Sequence, residues 1–381
     1  MKKIFFSFLI FFFTNNLIAK NIIEPNLKSK SWILYDVKSL QILSSKASDE
    51  IVEPASLTKL MTIYILFKSI KEKKIDINQT TKVSEESWKV SADSSKMFLE
   101  PNSFVKISDL INGLIVHSGN DAAITIAELI SGKQDSFVKL MNREAIKIGM
   151  TQTKFANPHG LSSKNNYTTS NDLLKLTLKI INDFPEFYEL FSKKKFTYNK
   201  ISQNNRNRLL WMDPTVDGIK TGHTKSAGYN LIASSKRLNN NFERRLISIV
   251  IGSKSDAQRV FETQKLLNWG FKNFNIYKFH KKNEPILESK IWKGTKDNVK
   301  LGFKDDIFLS VPSGTIDKIK PTIERSEKMF APMKKDSRVG TLRITLFGDI
   351  LKEMPLISLE NINQANIIGR AYDSVRLLFI D

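Results

Sequence analysis

The stretch PASLTKLMTIYILF, from Pro54 to Phe67, places a serine and a lysine three residues apart at the mouth of a strongly apolar run. Three residues is close to one helical turn, so the two side chains share a face and the Lys59 amine can reach the Ser56 hydroxyl. A hydroxyl next to an amine is a nucleophile next to a base, which is what acyl transfer requires. With Ser56 in the first turn, spare backbone N–H groups and the positive end of the helix dipole face it too. Behind it Leu57, Leu60, Met61, Ile63, Tyr64, Leu66, Phe67 and Ile70 cover nearly every side, so the helix is buried. A buried ammonium is costly to desolvate, so Lys59 either reaches out to solvent or is there for chemistry.

S-x-x-K occurs again at Ser192 and Lys195, but in a polar run with no apolar helix behind it, which reads as solvated surface. S-x-N occurs three times, and only Ser118-Gly-Asn120, in IVHSGNDAAI, lies in a tight turn between two apolar helices. Lys220-Thr221-Gly222 occurs once, at the end of the strand signal VDGIK, where a glycine lets another backbone approach closely.

Ser56-x-x-Lys59, Ser118-x-Asn120 and Lys220-Thr-Gly, in that order, are the pattern of the penicillin-recognising serine enzymes. The surrounding text, PASLTKLMT, SGNDAA, NRNRLLW, VDGIKTGHT, AGYNLIAS and LLNWGF, resembles the low-molecular-mass penicillin-binding proteins of the D-alanyl-D-alanine carboxypeptidase (5/6) type, from about Ser31 onward. The resemblance implies a β-lactamase/transpeptidase-like α/β domain, a small all-β sandwich and a C-terminal amphipathic helix on the membrane surface. It implies that Ser56 attacks the penultimate D-Ala carbonyl of a peptidoglycan stem peptide, giving an acyl-enzyme that water hydrolyses. Lys59 is then the base, kept neutral by burial and the nearby Lys220 charge. Ser118 relays a proton to the leaving amine and Asn120 holds the substrate amide. Lys220, Thr221 and Gly222 bind the carboxylate end, with Arg206 as a further partner. The N–H groups of Ser56 and His223 form the oxyanion hole, and the His223 side chain is a wall of the site. Neither cofactor nor metal is implied, and β-lactams are covalent inhibitors.

A D,D-endopeptidase cutting cross-links is the alternative with the same chemistry. A class A β-lactamase needs a glutamate between the second and third motifs, and residues 145–185 contain none. A non-catalytic scaffold is at odds with three intact motifs. Asn102 after Pro101, where glycine is usual, and Ser253-Lys254, where Gly-Arg is usual, depart from the family text.

The elements that must hold these residues are legible in outline. The alternation of SWILYDVKSLQILSS (31–45) predicts a strand hairpin broken at Lys38-Ser39. Helices are expected over 107–114, 122–130, 137–150 and around 173–181, with a Gly/Asn/Ser-rich loop over 156–171. Strands follow at VDGIKTGHT, YNLIASS and RRLISIVIG, giving an α/β domain in which a mostly antiparallel sheet packs on helices. NVKLGF, DIFLSVP, TIDKIKP and GTLRITLFGD then read as short strands of a β-sandwich. The expected domains are 20–275, 276–362 and a terminal helix over 363–381.

Residues 1–19 carry Lys2-Lys3, an apolar run over 4–13 and a small-residue end at Ala19, the pattern of a secretory leader. Export to the outer face of the cytoplasmic membrane is therefore expected, yet the chain has no cysteine, so its cores rest on apolar packing alone. Its four histidines show no zinc-peptidase spacing. The net charge of +20 is spread over scattered lysines without a nucleic-acid motif, which leaves a general attraction to anionic lipid or wall polymer. The third stem-peptide residue and the oligomeric state leave no mark in the sequence.

Overall fold

The computed structural model describes residues 23–91 and 94–379, so the leader expected over 1–19 lies outside the described residues. The chain divides into two compact units, one of residues 24–276 and one containing residues from Tyr277 onward.

In the first unit β1 (Ser31–Asp36) and β2 (Gln41–Lys46) form the expected hairpin. β1 also pairs with β5 (Phe242–Ser253), and β3 (Val216–Thr224) and β4 (Gly228–Asn239) complete an antiparallel sheet of order β2-β1-β5-β4-β3. Side chains alternate along a strand, so one sheet has two apolar faces to bury. Ile33, Tyr35, Ile247, Ile249 and Ile251 enter a core built with α1 (Lys59–Lys71), α2 (Ile107–Asn112), α3 (Asn120–Ser131), α4 (Gln134–Ile148) and α5 (Ser170–Asp183). Leu34 and Leu246 point the other way, onto α6 (Asp256–Asn273). A Cβ on Gly270 of α6 would stand 2.5 Å from Leu34 Cδ2 and 2.9 Å from Leu246 Cδ1, so glycine lets the helix lie close.

Two differences from the expected elements matter. α6 is absent from the helices read in the sequence, although Ser255 caps it by accepting from the Gln258 N–H at 3.1 Å. The helix expected to stop at Leu114 also continues, as a widened turn over Gly113–His117, to the serine of the second motif.

β6 (Phe274–His280) begins at the end of the first unit and continues into the second, which holds β7 (Pro285–Trp292), β8 (Asn298–Gly302), β9 (Ile307–Pro312), β10 (Ile319–Arg325), β11 (Met329–Phe330), β12 (Arg338–Leu346) and β13 (Asp349–Ser358). They form a sheet of order β10-β12-β13-β8-β7-β11 and a pair β6-β9, enclosing Val299, Leu301, Leu309, Val311, Leu342, Ile344 and Leu356. TIDKIKP, read as strand throughout, opens with a 3-10 turn at Ile316–Lys318 before β10 begins. The chain continues into α7 (Ile367–Leu377).

Arg244 on β5 and Asp36 at the end of β1 form a fully buried ion pair at 2.6 Å. Asp36 also accepts from the Lys38 and Ser39 N–H groups, which shapes the β1–β2 turn, and Arg244 donates to the Phe274 carbonyl at 2.7 Å. Removing one partner strands a buried charge. Asp36→Ala is expected to cost about 3–5 kcal/mol of stability, read as a lowered denaturant midpoint.

Candidate active site

Ser56 lies in a one-turn 3-10 helix, Ala55–Thr58, that runs straight into α1, so it precedes the first α-helical turn rather than occupying it. Ala55 turns the chain with a positive φ of 49°, and the Leu57 N–H closes the turn on the Pro54 carbonyl at 3.1 Å. Lys59 is buried, and its Nζ has three neighbours: Ser56 Oγ at 3.1 Å, Asn120 Oδ1 at 2.6 Å and the His159 carbonyl at 2.5 Å. Burial pushes the amine down to about 7, the positive charge of Arg206 adds to the effect, and Asp121 opposes it. Lys220, from which a charge on Lys59 was expected, is itself lowered by burial and in part by Lys59.

Ser118 has a left-handed backbone, φ 59°, between the widened turn and α3, and Asn120 opens α3. The Asn120 N–H bonds the Ser95 carbonyl at 2.8 Å. The buried Asp121 carboxylate takes the N–H groups of Met97 at 3.0 Å, Leu99 at 3.2 Å and Ala122 at 2.9 Å. The second motif is therefore held from both sides. Among the described residues no carboxylate bonds to Ser56 or Lys59.

The third motif lies on β3, at the edge of the sheet. Lys220 Nζ donates to Ser118 Oγ at 2.9 Å and to the Thr221 carbonyl at 3.2 Å, which links the second and third motifs. Its amine is well below the ordinary lysine range, first through burial and then through Lys59, Arg206 and Arg259. Thr221 is buried opposite Leu231, and Gly222 passes so close to the Ser56 turn that a Cβ would lie 2.9 Å from the Pro54 carbonyl oxygen. His223 is exposed and stacks on Tyr229 with ring centres 4.0 Å apart. Arg206 is also exposed, and it meets the site through its charge.

The Ser192/Lys195 copy stays at the surface, with Ser192 Oγ bonded back to the Glu189 carbonyl. Three participants were not singled out in the sequence. Asp121 carried a signal, an aspartate in the first turn of a helix. Arg259, buried beneath β3, donates to the Gly222 carbonyl at 3.2 Å and pairs with Asp256 at 2.5 Å, but it belongs to the overlooked α6. The 157–161 segment, NPHGL, lay inside a stretch read only as loop, and it supplies the His159 carbonyl to Lys59 and the Pro158 carbonyl to Thr62 Oγ1 at 2.6 Å.

Comparison with known proteins agrees along the chain. D-alanyl-D-alanine carboxypeptidase DacC of Escherichia coli is 38% identical over 98% of this chain and 94% of its own length. D-alanyl-D-alanine carboxypeptidase DacA of Haemophilus influenzae is 40% identical over 92% of this chain and 89% of its own. The crystal structure of penicillin binding protein 5 from Haemophilus influenzae superposes with a TM-score of 0.86 at 38% identity, covering 90% of this chain and all of that one. Residues 274–364 match the family model of the penicillin-binding protein 5 C-terminal domain. Residues 18–255 match the model of the D-alanyl-D-alanine carboxypeptidase peptidases, and the chain belongs to that family.

Proposed function

We propose that Ser56 is the nucleophile with which this D-alanyl-D-alanine carboxypeptidase removes the terminal D-Ala from peptidoglycan pentapeptide stems. The observation that carries this reading is the surroundings of the Lys59 amine. A neutral amine has two hydrogens and one lone pair. The His159 carbonyl and Asn120 Oδ1 can only accept, so they take the two hydrogens, and the lone pair is left for the Ser56 O–H. An ammonium in the same place would give its third hydrogen to Ser56 Oγ and quench the nucleophile.

In the reaction Ser56 Oγ attacks the penultimate carbonyl and Lys59 takes its proton. The Ser56 and His223 N–H groups receive the oxyanion. Ser118, bonded to Lys220, passes a proton to the departing D-Ala amine, while Asn120 holds the substrate amide. Lys220, Thr221 and Arg206 draw in the carboxylate, and the peptide lies against the open edge of β3 as an added strand. Water then hydrolyses the acyl-enzyme. A β-lactam acylates the same serine, and residues 145–185 offer no glutamate of the kind a class A β-lactamase uses to hydrolyse that adduct quickly. Endopeptidase action on cross-links is the weaker reading, since carboxypeptidases are the relatives that align along more than nine-tenths of the chain.

The proposal places the enzyme outside the cytoplasmic membrane, in wall remodelling and cell shape. Residues 1–19 are then its leader and α7 its contact with the membrane surface. Asp373 of α7 accepts from the Lys293 N–H at 2.5 Å and Arg376 lies 5.6 Å from the Trp292 ring centre, so the polar side of the helix engages the β unit. Its apolar residues stay outward, with Ile367 76% and Leu378 80% exposed. Among the described residues no helix is long and apolar enough to cross a membrane, which leaves α7 to lie in the interface.

Mass analysis of a pentapeptide ending in D-Ala-D-Ala is expected to show loss of one alanine. Ser56→Ala abolishes covalent labelling by fluorescent penicillin and Ser192→Ala leaves it intact; labelling that survives the first change refutes the assignment.

Acylation needs the neutral amine, so its rate is expected to climb with pH and reach half its plateau near the Lys59 value of about 7. Lys59→Arg, whose guanidinium stays charged, is expected to lose about 10² or more of the rate and that pH dependence with it.

Truncation after Asn363 is expected to move the protein from the membrane pellet to the supernatant with activity on soluble peptide unchanged. Identical fractionation of the two forms refutes the role given to α7.

A further inference from the structure

The Ser56 turn contains a conformation that an alanine does not choose freely. Ala55 is fully buried with φ at +49°, in the left-handed region, and something other than its own preference holds it there. Two glycines press on the turn. Gly222 comes from β3, where a Cβ would lie 2.9 Å from the Pro54 oxygen and 3.3 Å from the Ala55 Cβ. Gly160 comes from the 157–161 segment and sits tighter: a Cβ there would lie 2.5 Å from the Ala55 carbonyl carbon, closer still to its oxygen, and 2.9 Å from Thr58 Oγ1.

The Ala55 carbonyl and the Ser56 N–H belong to one rigid peptide plane. Whatever limits where that carbonyl points therefore aims the N–H. We propose that Gly160 is a positioning residue for acyl transfer: its lack of a side chain lets the Ala55–Ser56 plane take the tilt that directs the Ser56 N–H at the reacting carbonyl oxygen. This rests on the reading of Ser56 as nucleophile and oxyanion donor.

The segment is fixed firmly enough for the purpose. Asn157 Oδ1 accepts from the Gly160 N–H at 2.6 Å and Asn157 Nδ2 donates to the Leu161 carbonyl at 2.9 Å. The Leu161 N–H donates to His159 Nδ1 at 3.1 Å, and Asn166 Nδ2 donates to Thr58 Oγ1 at 3.3 Å. Glu53, at the entry to the turn, accepts from Ser162 Oγ at 2.6 Å and Thr224 Oγ1 at 2.9 Å, which ties the segment, the turn and β3 together. The same few residues thus deliver an acceptor to Lys59 and a stop to the plane that carries the Ser56 N–H.

The chain contains its own control. Gly149 shares a positive φ with Gly160, +86° against +88°, but has nothing within 4 Å of where a Cβ would stand. Alanine at either position would sit at a positive φ, and only alanine at 160 meets the Ala55 carbonyl. With the full chain and a D-Ala-D-Ala pentapeptide, Gly149→Ala is expected to lower Tm and leave kcat unchanged. Gly160→Ala is expected to lower kcat by about 10- to 100-fold with KM within about threefold, a misaimed donor keeping part of the 10²–10³ that outright removal costs. Asn157→Ala is expected to lower kcat in the same sense, and Asn157→Asp, which keeps the acceptor for the Gly160 N–H, to restore part of it. Equal kcat in the two glycine variants overturns the proposal; should Gly160→Ala fail to fold, the Asn157 pair decides it, and unchanged kcat in Asn157→Ala overturns it. Penicillin labelling that persists in Ser56→Ala overturns instead the reading beneath it.

Discussion

A lysine amine sealed from water must find partners for its hydrogens or give up its charge, and Lys59 has the partners while burial weakens its hold on the proton. Lys59 is the last of the four residues of a motif that has to be helical, on a helix that has to be central, so its surroundings must come from elsewhere in the chain. One acceptor arrives from the start of α3, a second from the loop before α5, and the serine from its own preceding turn. The sheet contributes indirectly, through Lys220 on β3, whose bond to Ser118 connects the two remaining motifs. Most of the first unit can be understood as the scaffold needed to bring these chain segments to one nitrogen.

Arg206 completes the electrostatics without bonding to the amines. Its positive charge bears on Lys59, Lys220 and His223 alike, adding to the burial that is the first cause at each. In the proposed reaction a carboxylate that paired with Arg206 would relieve that pressure on Lys59.

Much of this was legible in the sequence because the motifs are short and each lies within one element. The strands read well for a related reason: their alternation is local, and the register of β1 against β2 and β5 follows from which side chains must be buried. What escaped was set by contacts distant in sequence. α6 carries buried Arg259, Glu262 and Thr263 among its apolar residues, which blurs a helical stripe. NPHGL has loop composition, and nothing local in it shows that a main-chain carbonyl from it reaches a lysine 100 residues away. That Arg206 also bears on Lys59 could not be read beforehand, because Lys220 and Arg206 are equally basic as letters and differ only in where the fold exposes them.

The two sides of α7 differ in chemistry. Asp373 and Arg376 engage the β unit through charge and through a cation held over an aromatic ring, interactions that ionic strength weakens. The outward side, with Ile368, Val375 and Leu378, is indifferent to salt and responds to surfactant. Electrolyte would thus loosen this helix from its own protein, and detergent would loosen it from the membrane surface proposed for its outward side.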